Sequence, residues 1–167
     1  NSLTKGAYYS GLQTFPEERC VKIVNPLSSD LNVMRQTLIL NGLEVIAYNV
    51  NRQISSLRTF EYGSVYQRLP GTDGKTLASY EEHQCFAMFL SGPNAKSWRL
   101  GEQKGNYFQL KGYFEQLCRR YAIDLYTMET EAAPSDIFSE GIVYRLPGTH
   151  EVFATLGTVS PALAKKY

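Results

Sequence analysis

The sequence has no excess of charge of either sign and no long block of like charges. Its 167 residues carry 17 basic and 16 acidic side chains, a formal net charge of +1. Proteins that bind nucleic acid on their own usually present a basic surface, so this balance argues against an autonomous nucleic-acid-binding module. It leaves room for a contact with RNA that is made together with a partner.

Long apolar runs are also missing. No run reaches the ~18 residues that indicate a membrane-spanning helix, and the N-terminus lacks the pattern of a secretory signal peptide. We therefore expect a cytoplasmic protein with no membrane partner. The chain begins at Asn1 without a methionine, which is compatible with a fragment of a longer protein.

Cysteine and histidine are scarce. Cys20, Cys85 and Cys118 are odd in number, far apart and set in apolar stretches, which favours buried reduced thiols over a disulfide framework or a zinc site. Neither His83 nor His150 has the spacing of a metal ligand, and no phosphate-binding loop or nucleophile motif occurs. The spacing therefore predicts no catalytic residue, no cofactor-binding residue and no metal ligand.

Apolar and aromatic residues are plentiful. Hydrophobic residues make up 43% of the chain and aromatic residues 13%, with 12 Tyr and 8 Phe. Such a composition suits a globular, strand-rich protein, and the length is that of one domain with a sizeable core. We expect a single domain over residues 1–167.

Helical and strand patterns alternate along the chain. Helices are predicted after Thr37, which is a plausible N-cap, and over residues 107–123. The predicted strands are CVKIVN (20–25), LRTFEYGSVYQR (57–68), HQCFAMFLSG (83–92), DLYTMET (124–130), EGIVYRL (140–146) and VFATLGTVS (152–160). This order predicts an α+β fold in which helices flank an antiparallel sheet. The strand at 83–92 is apolar on both faces, as in a central strand that is covered on both sides.

The first helix has an apolar stripe and further apolar residues outside it. Leu38 and Leu40 lie off the stripe, so we expect the first turns to pack against a second surface, such as another subunit. At the other end, Asn49, Asn51 and Arg52 suit either the cap of the helix or a contact with a partner. The stripe itself is formed by Ile39, Leu43, Ile46, Ala47 and Val50.

Arg35 is a lone arginine among apolar residues at the junction before this helix. A buried guanidinium needs a partner, and Glu61 is the best candidate, since it is an acid on a strand otherwise lined by aromatic side chains. We therefore predict an ion pair between Arg35 and Glu61, with a remnant of a ligand site as the alternative role for Arg35. Gly42 interrupts a helix, where it allows a close backbone approach, and Gly63 interrupts a strand, where it marks either a bulge or a close neighbour.

Several segments, in this order and spacing, resemble the β chain of bacterial phenylalanyl-tRNA synthetase. The segments are NPLSSDLNVMRQTL, GLEVIAYNVNRQ, LRTFEYGSVY, LSG, YFQLKGYFEQL and LPGTHEVFATLGTVSPAL. The resemblance covers nearly the whole chain. The combination is specific to that family, although no single segment is.

The resemblance implies a core of the class II synthetase type, excised from a longer β chain. In the family this core is a catalytically silent relative of the core in the α chain, which joins phenylalanine to tRNA with ATP and magnesium. It implies an (αβ)2 heterotetramer in which this domain is a scaffold and interface for the catalytic α subunit. Contact with tRNA would be made through the assembled enzyme.

The residues at the family's catalytic positions agree with a silent core. Where an active class II strand carries an arginine after G-x-V-Y, this sequence has Gln67, and Arg68 would point to the opposite face. Where active α chains carry Gln-x-Glu-Gly, this chain has Phe89 and Ser91 at the Gln and Glu positions. These side chains lack the charge that would bind ATP or an ammonium group.

Two other classes of function stay open on the sequence. The first is a stand-alone module that binds amino acids or RNA and derives from a synthetase core. The second is an independent enzyme that uses His83, Glu81 and Glu82, which a metal site at these residues would support.

Overall fold

The computed structural model describes residues 2–93 and 105–167. The chain divides into two compact units: unit 1 is Asn1–Gln53 with Thr59–Phe89, and unit 2 is Ile54–Arg58 with Leu90–Tyr167. The single domain expected over residues 1–167 stays a prediction.

The predicted α+β composition is confirmed. The helices are α1 (Leu38–Val50), α2 (Tyr107–Arg120) and α3 (Pro161–Ala164). The strands are β1 (Leu3–Thr4), β2 (Val21–Lys22), β3 (Val33–Met34), β4 (Leu57–Arg68), β5 (Tyr80–Ser91), β6 (Glu129–Ala132), β7 (Phe138–Arg145) and β8 (Val152–Val159). No helix among the described residues is long and apolar enough to cross a membrane.

In unit 1, three short strands form an antiparallel sheet in the order β1-β3-β2. Met34 in β3 pairs with Leu3 on one side and with Val21 on the other. The sequence did not predict β3, because two residues are too few to show an alternating pattern. The position of β3 matters for function, since Arg35 follows it directly.

Helix α1 begins where the sequence predicts. The Thr37 hydroxyl accepts a hydrogen bond from the Ile39 backbone N–H at 3.2 Å, which satisfies one of the free donors of the first turn. The buried residues, however, are Leu38, Leu40, Gly42 and Leu43, of which Leu43 alone belongs to the predicted stripe. The first turn is enclosed by the rest of the chain, so tertiary packing overrides the helical periodicity there.

Strands β4 and β5 form a two-stranded sheet. Ser64 lies opposite Gln84, and Gln67 lies opposite Glu81, so the two strands are antiparallel. Side chains alternate between an inner face, which includes Glu61, and an outer face. The outer face is formed by Phe60, Tyr62 and Phe86, which are 75%, 69% and 46% exposed.

The prediction that residues 83–92 are covered on both sides is therefore wrong for the described residues. The rings of Phe60 and Phe86 contact each other, with centroids 6.0 Å apart, but remain exposed. An apolar run shows that a strand suits burial on both faces, but it does not show what covers each face.

In unit 2, β6, β7 and β8 form an antiparallel sheet in that order. Helix α2 is capped by Asn106, whose side chain accepts from the Gln109 N–H at 2.9 Å. The buried Phe114 of α2 packs against Tyr144 and Phe153 of the sheet, with ring centroids 5.4 and 6.2 Å apart. These aromatic contacts anchor α2 on the sheet.

The predicted strand at 124–130 is wrong in its first half. Leu125–Thr127 forms a 3-10 turn instead, and the strand begins at Glu129. The Asp124 carboxylate caps this turn by accepting from the Tyr126 N–H at 2.9 Å. An aspartate that bonds the backbone two residues ahead favours a turn over an extended chain, and this outweighs the β propensity of the segment.

The repeated sequence RLPGT forms a turn in each unit, one between β4 and β5 and one between β7 and β8. Gly71 and Gly148 have φ of 74° and 82°, a conformation that favours glycine. In each turn the arginine donates to a backbone carbonyl beyond the glycine: Arg68 to Thr72, and Arg145 to His150. The two copies of RLPGT therefore share the same turn chemistry.

Candidate functional site

Arg35 is the centre of the candidate site. Its side chain is 4% exposed, and its Nε donates to the Ser64 carbonyl oxygen at 2.9 Å. Its backbone N–H donates to Ser2, and its own carbonyl accepts from the Tyr66 N–H. Arg35 thus joins the end of β3 to the inner face of β4 through backbone and side chain together.

The partner predicted from the sequence is in place. Arg35 Nη1 donates to Glu61 Oε1 at 2.5 Å, and the Glu61 side chain is 33% exposed. The pair is charge-assisted, which makes it stronger than a neutral hydrogen bond. The alternative for Arg35, a remnant of a ligand site, stays a prediction.

Gly63 explains how the guanidinium reaches this position. A Cβ at Gly63 would collide with Arg35 Nη2. The guanidinium therefore occupies the space that a side chain at this position would take, which is the close-neighbour alternative of the two that the sequence left open at this glycine.

Gly42 and Phe89 show a second close approach on the inner face. A Cβ at Gly42 would fall inside the Phe89 ring, so the ring lies directly against the backbone of α1. The Phe89 side chain therefore occupies the space between α1 and β5.

Gln67 takes part in a polar group with Glu81 and His83. Gln67 Nε2 donates to Glu81 Oε2 at 2.8 Å, and His83 Nε2 lies 3.3 Å from the same oxygen. These two hydrogen bonds, that of Gln67 first, hold the pKa of the Glu81 carboxyl below its ordinary value. Gln67, Glu81 and His83 thus bond to one another within unit 1.

The other residues weighed for chemistry take no part in these hydrogen bonds. Glu82 follows Glu81 on the strand and so points to the outer face. Ser91 belongs to unit 2, where its carbonyl oxygen accepts from Arg58 Nη1 at 3.1 Å. Among residues 2–93 and 105–167, no group of three or more His, Cys, Asp and Glu could hold a metal ion.

Leu38 and Leu40 are buried inside the chain itself. Their burial supports a structural role, because the described chain already supplies the second surface that the sequence called for. A contact of these leucines with another subunit stays a prediction.

Polar side chains at the C-terminal end of α1 donate hydrogen bonds to backbone carbonyl groups of the helix. Asn49 donates to the Val45 carbonyl at 2.8 Å, and Arg52 donates to the Tyr48 carbonyl at 3.2 Å. Asn51 is the C-cap residue. The Arg52 guanidinium also stacks on the Tyr48 ring, 3.4 Å from its centroid. The capping role predicted from the sequence is present, and Tyr48 and Arg52 form an exposed pair.

The three cysteines are free thiols. Cys20 and Cys118 are buried, as predicted, whereas Cys85 is half-buried. Burial raises the pKa of the Cys85 thiol, and the charge of Arg35 opposes this effect in part. A raised pKa disfavours the thiolate, so the inner face offers no activated nucleophile at Cys85.

Sequence reasoning missed the polar contacts that hold the segment before α1. The buried Tyr9 hydroxyl accepts from the Gln36 backbone N–H at 2.9 Å, and the Gln36 side chain donates to Cys20 Sγ at 3.0 Å. Tyr8 donates to Glu44 at 2.5 Å. These partners are up to 36 residues apart, so no local pattern could have revealed them.

Comparisons with known proteins give the family. The model described as "Phenylalanyl tRNA synthetase beta chain CLM domain" matches residues 1–167. The phenylalanine–tRNA ligase beta subunits of Bacteroides fragilis and Porphyromonas gingivalis are each 35% identical over 170 residues, covering 100% of this chain and 21% of the relative. That of Lactobacillus acidophilus is 34% identical over 115 residues, 68% of this chain and 13% of the relative.

The chain spans about a fifth of the length of the first two of these relatives. The match of the family model runs from the first residue to the last, and the resemblance inferred from the motifs points to the same proteins. The chain therefore belongs to the family of the phenylalanyl-tRNA synthetase beta chain CLM domain.

Proposed function

We propose that this chain is a catalytically silent module of the β subunit of phenylalanine–tRNA ligase and supports the catalytic α subunit. The whole enzyme joins phenylalanine to its tRNA with ATP and magnesium, both handled by the α subunit. It acts in the cytoplasm as an (αβ)2 heterotetramer. The proposal is supported by relatives that are named phenylalanine–tRNA ligase beta subunit and match the whole chain.

The observation that carries the silent role is that the inner face is filled by its own side chains. Arg35 is committed to Glu61 and to the Ser64 carbonyl, and Gln67 is committed to Glu81. Phe89 fills the space against α1. An activating site needs free cationic groups for the phosphates of ATP, and on this face the buried guanidinium is already paired.

The proposal includes the architecture. Antiparallel sheets with few helices are what a class II synthetase-like core requires, and the described chain has that composition. Residues 1–167 then form one core-like domain of a longer β chain, in keeping with relatives about five times as long.

The exposed pair of Tyr48 and Arg52, with Asn49 beside it, is proposed as part of the contact with the α subunit. Tyrosine and arginine are enriched among residues that dominate binding energy, because they combine a large contact area with directed polar groups. The stacked arrangement holds both side chains in place before binding, which lowers the entropy that association costs.

The experiment that tests the function is co-purification of this chain with the α subunit, followed by phenylalanine-dependent ATP–pyrophosphate exchange on each part. We expect the chain alone to be inert and to bind the α subunit. Exchange by the chain alone would contradict the silent role. If the chain is inert, does not bind the α subunit, and binds phenylalanine or RNA by itself, the stand-alone binding module is favoured.

A further inference from the structure

We propose that the C-terminal end of α2 forms a contact site for single-stranded RNA. The site, called the α2 patch below, consists of Arg119, Arg120, Tyr121 and Tyr126. This inference rests on the proposed function, in which the RNA is the tRNA that the ligase charges. The proposed function does not say where this chain contacts RNA, and the α2 patch supplies that location.

Two nearly free tyrosine rings are the first observation. Tyr121 is 72% exposed and Tyr126 is 99% exposed. Tyr121 lies within the predicted helix over residues 107–123. In the structure α2 ends at Arg120, and Tyr121 is its C-cap residue. Its ring is therefore left out of the core. Exposed aromatic rings are the platforms on which unpaired bases stack.

Two arginines that directly precede Tyr121 in the sequence are the second observation. Arg119 and Arg120 are both exposed, and neither side chain forms a hydrogen bond or ion pair with any residue that the structure describes. Basic residues in the last turn of a helix interact favourably with its dipole, which accounts for arginines at this position. The dipole does not account for the adjacent exposed tyrosines. Both guanidinium groups are available to phosphate oxygens.

Hydrogen bonds hold the backbone that follows α2, so the residues of the α2 patch have defined positions. The Ile123 N–H donates to the Cys118 carbonyl at 2.9 Å and closes the helix. The Asp124 carboxylate accepts from the Tyr126 N–H at 2.9 Å, and the Asp124 carbonyl accepts from the Thr127 hydroxyl at 2.8 Å. Asp124, the one acid among residues 119–127, is thus engaged with the backbone that carries Tyr126.

The α2 patch differs from the pair of Tyr48 and Arg52, which has the exposed apolar side chains of Val45 and Val50 within three residues in sequence, and this difference favours RNA over a protein partner at the patch. The centre of a protein interface is apolar, but Ile123 and Leu125, the aliphatic side chains of residues 119–127 other than Ala122, are half-buried in this chain. What the patch offers outward is guanidinium groups and tyrosine rings. This combination binds phosphates through charge and unpaired bases through stacking.

The test uses the full-length β subunit assembled with its α subunit. Three double variants are compared: R119A/R120A, Y121A/Y126A, and Y121F/Y126F, which keeps both rings. K22A/K75A is the matched control, because it removes two exposed positive charges from unit 1. Each assembly is measured for the KM of tRNA in aminoacylation at several salt concentrations, and for ATP–pyrophosphate exchange without tRNA.

For R119A/R120A we expect the KM of tRNA to rise about tenfold and its salt dependence to weaken by a slope of about 1 to 2. For Y121A/Y126A we expect a rise of about fivefold or more, with Y121F/Y126F close to wild type. Pyrophosphate exchange is expected to stay unchanged in all four.

KM values in R119A/R120A and Y121A/Y126A within twofold of those of K22A/K75A would overturn the patch. So would a loss in Y121F/Y126F equal to that in Y121A/Y126A, because stacking needs the ring and not the hydroxyl. Failure of the proposed function has a separate signature. In that case the wild-type chain does not assemble with the α subunit, or it exchanges pyrophosphate alone.

Discussion

At the scale of single residues, the ion pair of Arg35 and Glu61 joins a buried side chain to a partly exposed one. The Arg35 guanidinium is nearly inaccessible to water, while its partner Glu61 is one-third exposed. The two members of the pair are therefore not equivalent. A carboxylate left alone can turn to water, but a buried guanidinium left alone cannot.

This asymmetry predicts that Glu61→Ala destabilises the chain more than Arg35→Met. We expect Glu61→Ala to cost about 3 kcal/mol of stability, because the buried Arg35 guanidinium then keeps its hydrogen bond to the Ser64 carbonyl but has no carboxylate beside it. Arg35→Met should cost about 1–2 kcal/mol, because an apolar side chain of similar length replaces the charge. Urea unfolding at neutral pH measures both. Equal costs, or a larger cost for Arg35→Met, would contradict the assignment of the buried member.

At the scale of elements, two helix glycines have opposite roles. Gly42 in α1 lies against the Phe89 ring, whereas a Cβ at Gly112 in α2 would meet no atom within 4 Å. Glycine costs a helix interior about 1 kcal/mol relative to alanine. The cost is offset at Gly42 by the close packing of Phe89, and nothing in the structure explains it at Gly112.

Gly42→Ala and Gly112→Ala should therefore change stability in opposite directions. Gly112→Ala is expected to stabilise the chain by about 1 kcal/mol through helix propensity. Gly42→Ala is expected to destabilise it by about 1–3 kcal/mol, because the new methyl group forces the ring away. Thermal and urea unfolding of the two variants form a matched comparison. A gain in stability from Gly42→Ala would show that Phe89 does not pack as described.

The sheet of unit 2 carries an exposed ion pair that responds to pH. Arg145 on β7 donates to Glu131 on β6, and this hydrogen bond holds the pKa of the Glu131 carboxyl below its ordinary value of 4.5. Because the folded-state pKa is the lower one, the unfolded chain binds more protons in this range. The contribution of the pair is complete above the ordinary pKa and is lost as the pH falls through the lowered value.

Glu131→Gln should therefore lower the melting temperature near neutral pH and have a shrinking effect as the pH falls from about 6 to about 3. The comparison is a series of thermal melts of wild type and variant across this range. Glu140→Gln, which replaces another exposed glutamate of the same sheet, is the control. A difference between wild type and Glu131→Gln that stays constant with pH would rule out the titration of this pair.

At the scale of the whole molecule, the described chain exposes both an aromatic surface and a polar one. The outer face of β4 and β5 exposes three aromatic side chains, while α1 ends in the polar pair of Tyr48 and Arg52. Exposed aromatic clusters of this kind mark either an interface or a tendency to associate. The two surfaces call for separate tests.

The outer face should make the isolated chain associate with itself as its concentration rises. We expect Phe60→Ser combined with Phe86→Ser to reduce this association, because the two contacting rings are removed from the surface. Sedimentation velocity at several concentrations measures the change, and a urea melt checks that the fold is retained. Unchanged association in the double variant would locate the contact elsewhere.

The pair at the end of α1 should matter for binding rather than for stability. Tyr48→Ala combined with Arg52→Ala is expected to weaken binding to the α subunit by about tenfold or more, as for residues that dominate an interface. Leu27→Ala, at an exposed apolar residue of unit 1, is the control. Titration calorimetry or co-purification gives the comparison. Equal binding by both variants would remove this pair from the proposed interface.

The sequence by itself determined the elements with strong local signals. Thr37 caps the helix as predicted, and the strand predicted at LRTFEYGSVYQR matches β4 from its first residue to its last. The ion pair of Arg35 and Glu61 could be predicted because an arginine in apolar surroundings needs an acid, and Glu61 lies on a strand otherwise lined by aromatic side chains. Family membership also came from the order and spacing of the motifs, which the comparisons confirm.

Only the tertiary structure decided which surfaces are buried. The first turn of α1 is enclosed, so Leu38 and Leu40 are core residues, while Phe60 and Tyr62 stay exposed on a strand that looks suited to burial. Tyr121 lies inside the predicted helix over residues 107–123, but α2 ends at Arg120, and Tyr121 is an exposed C-cap residue. Periodicity records which side chains can share a face, but burial depends on what packs there, and those partners are distant in sequence.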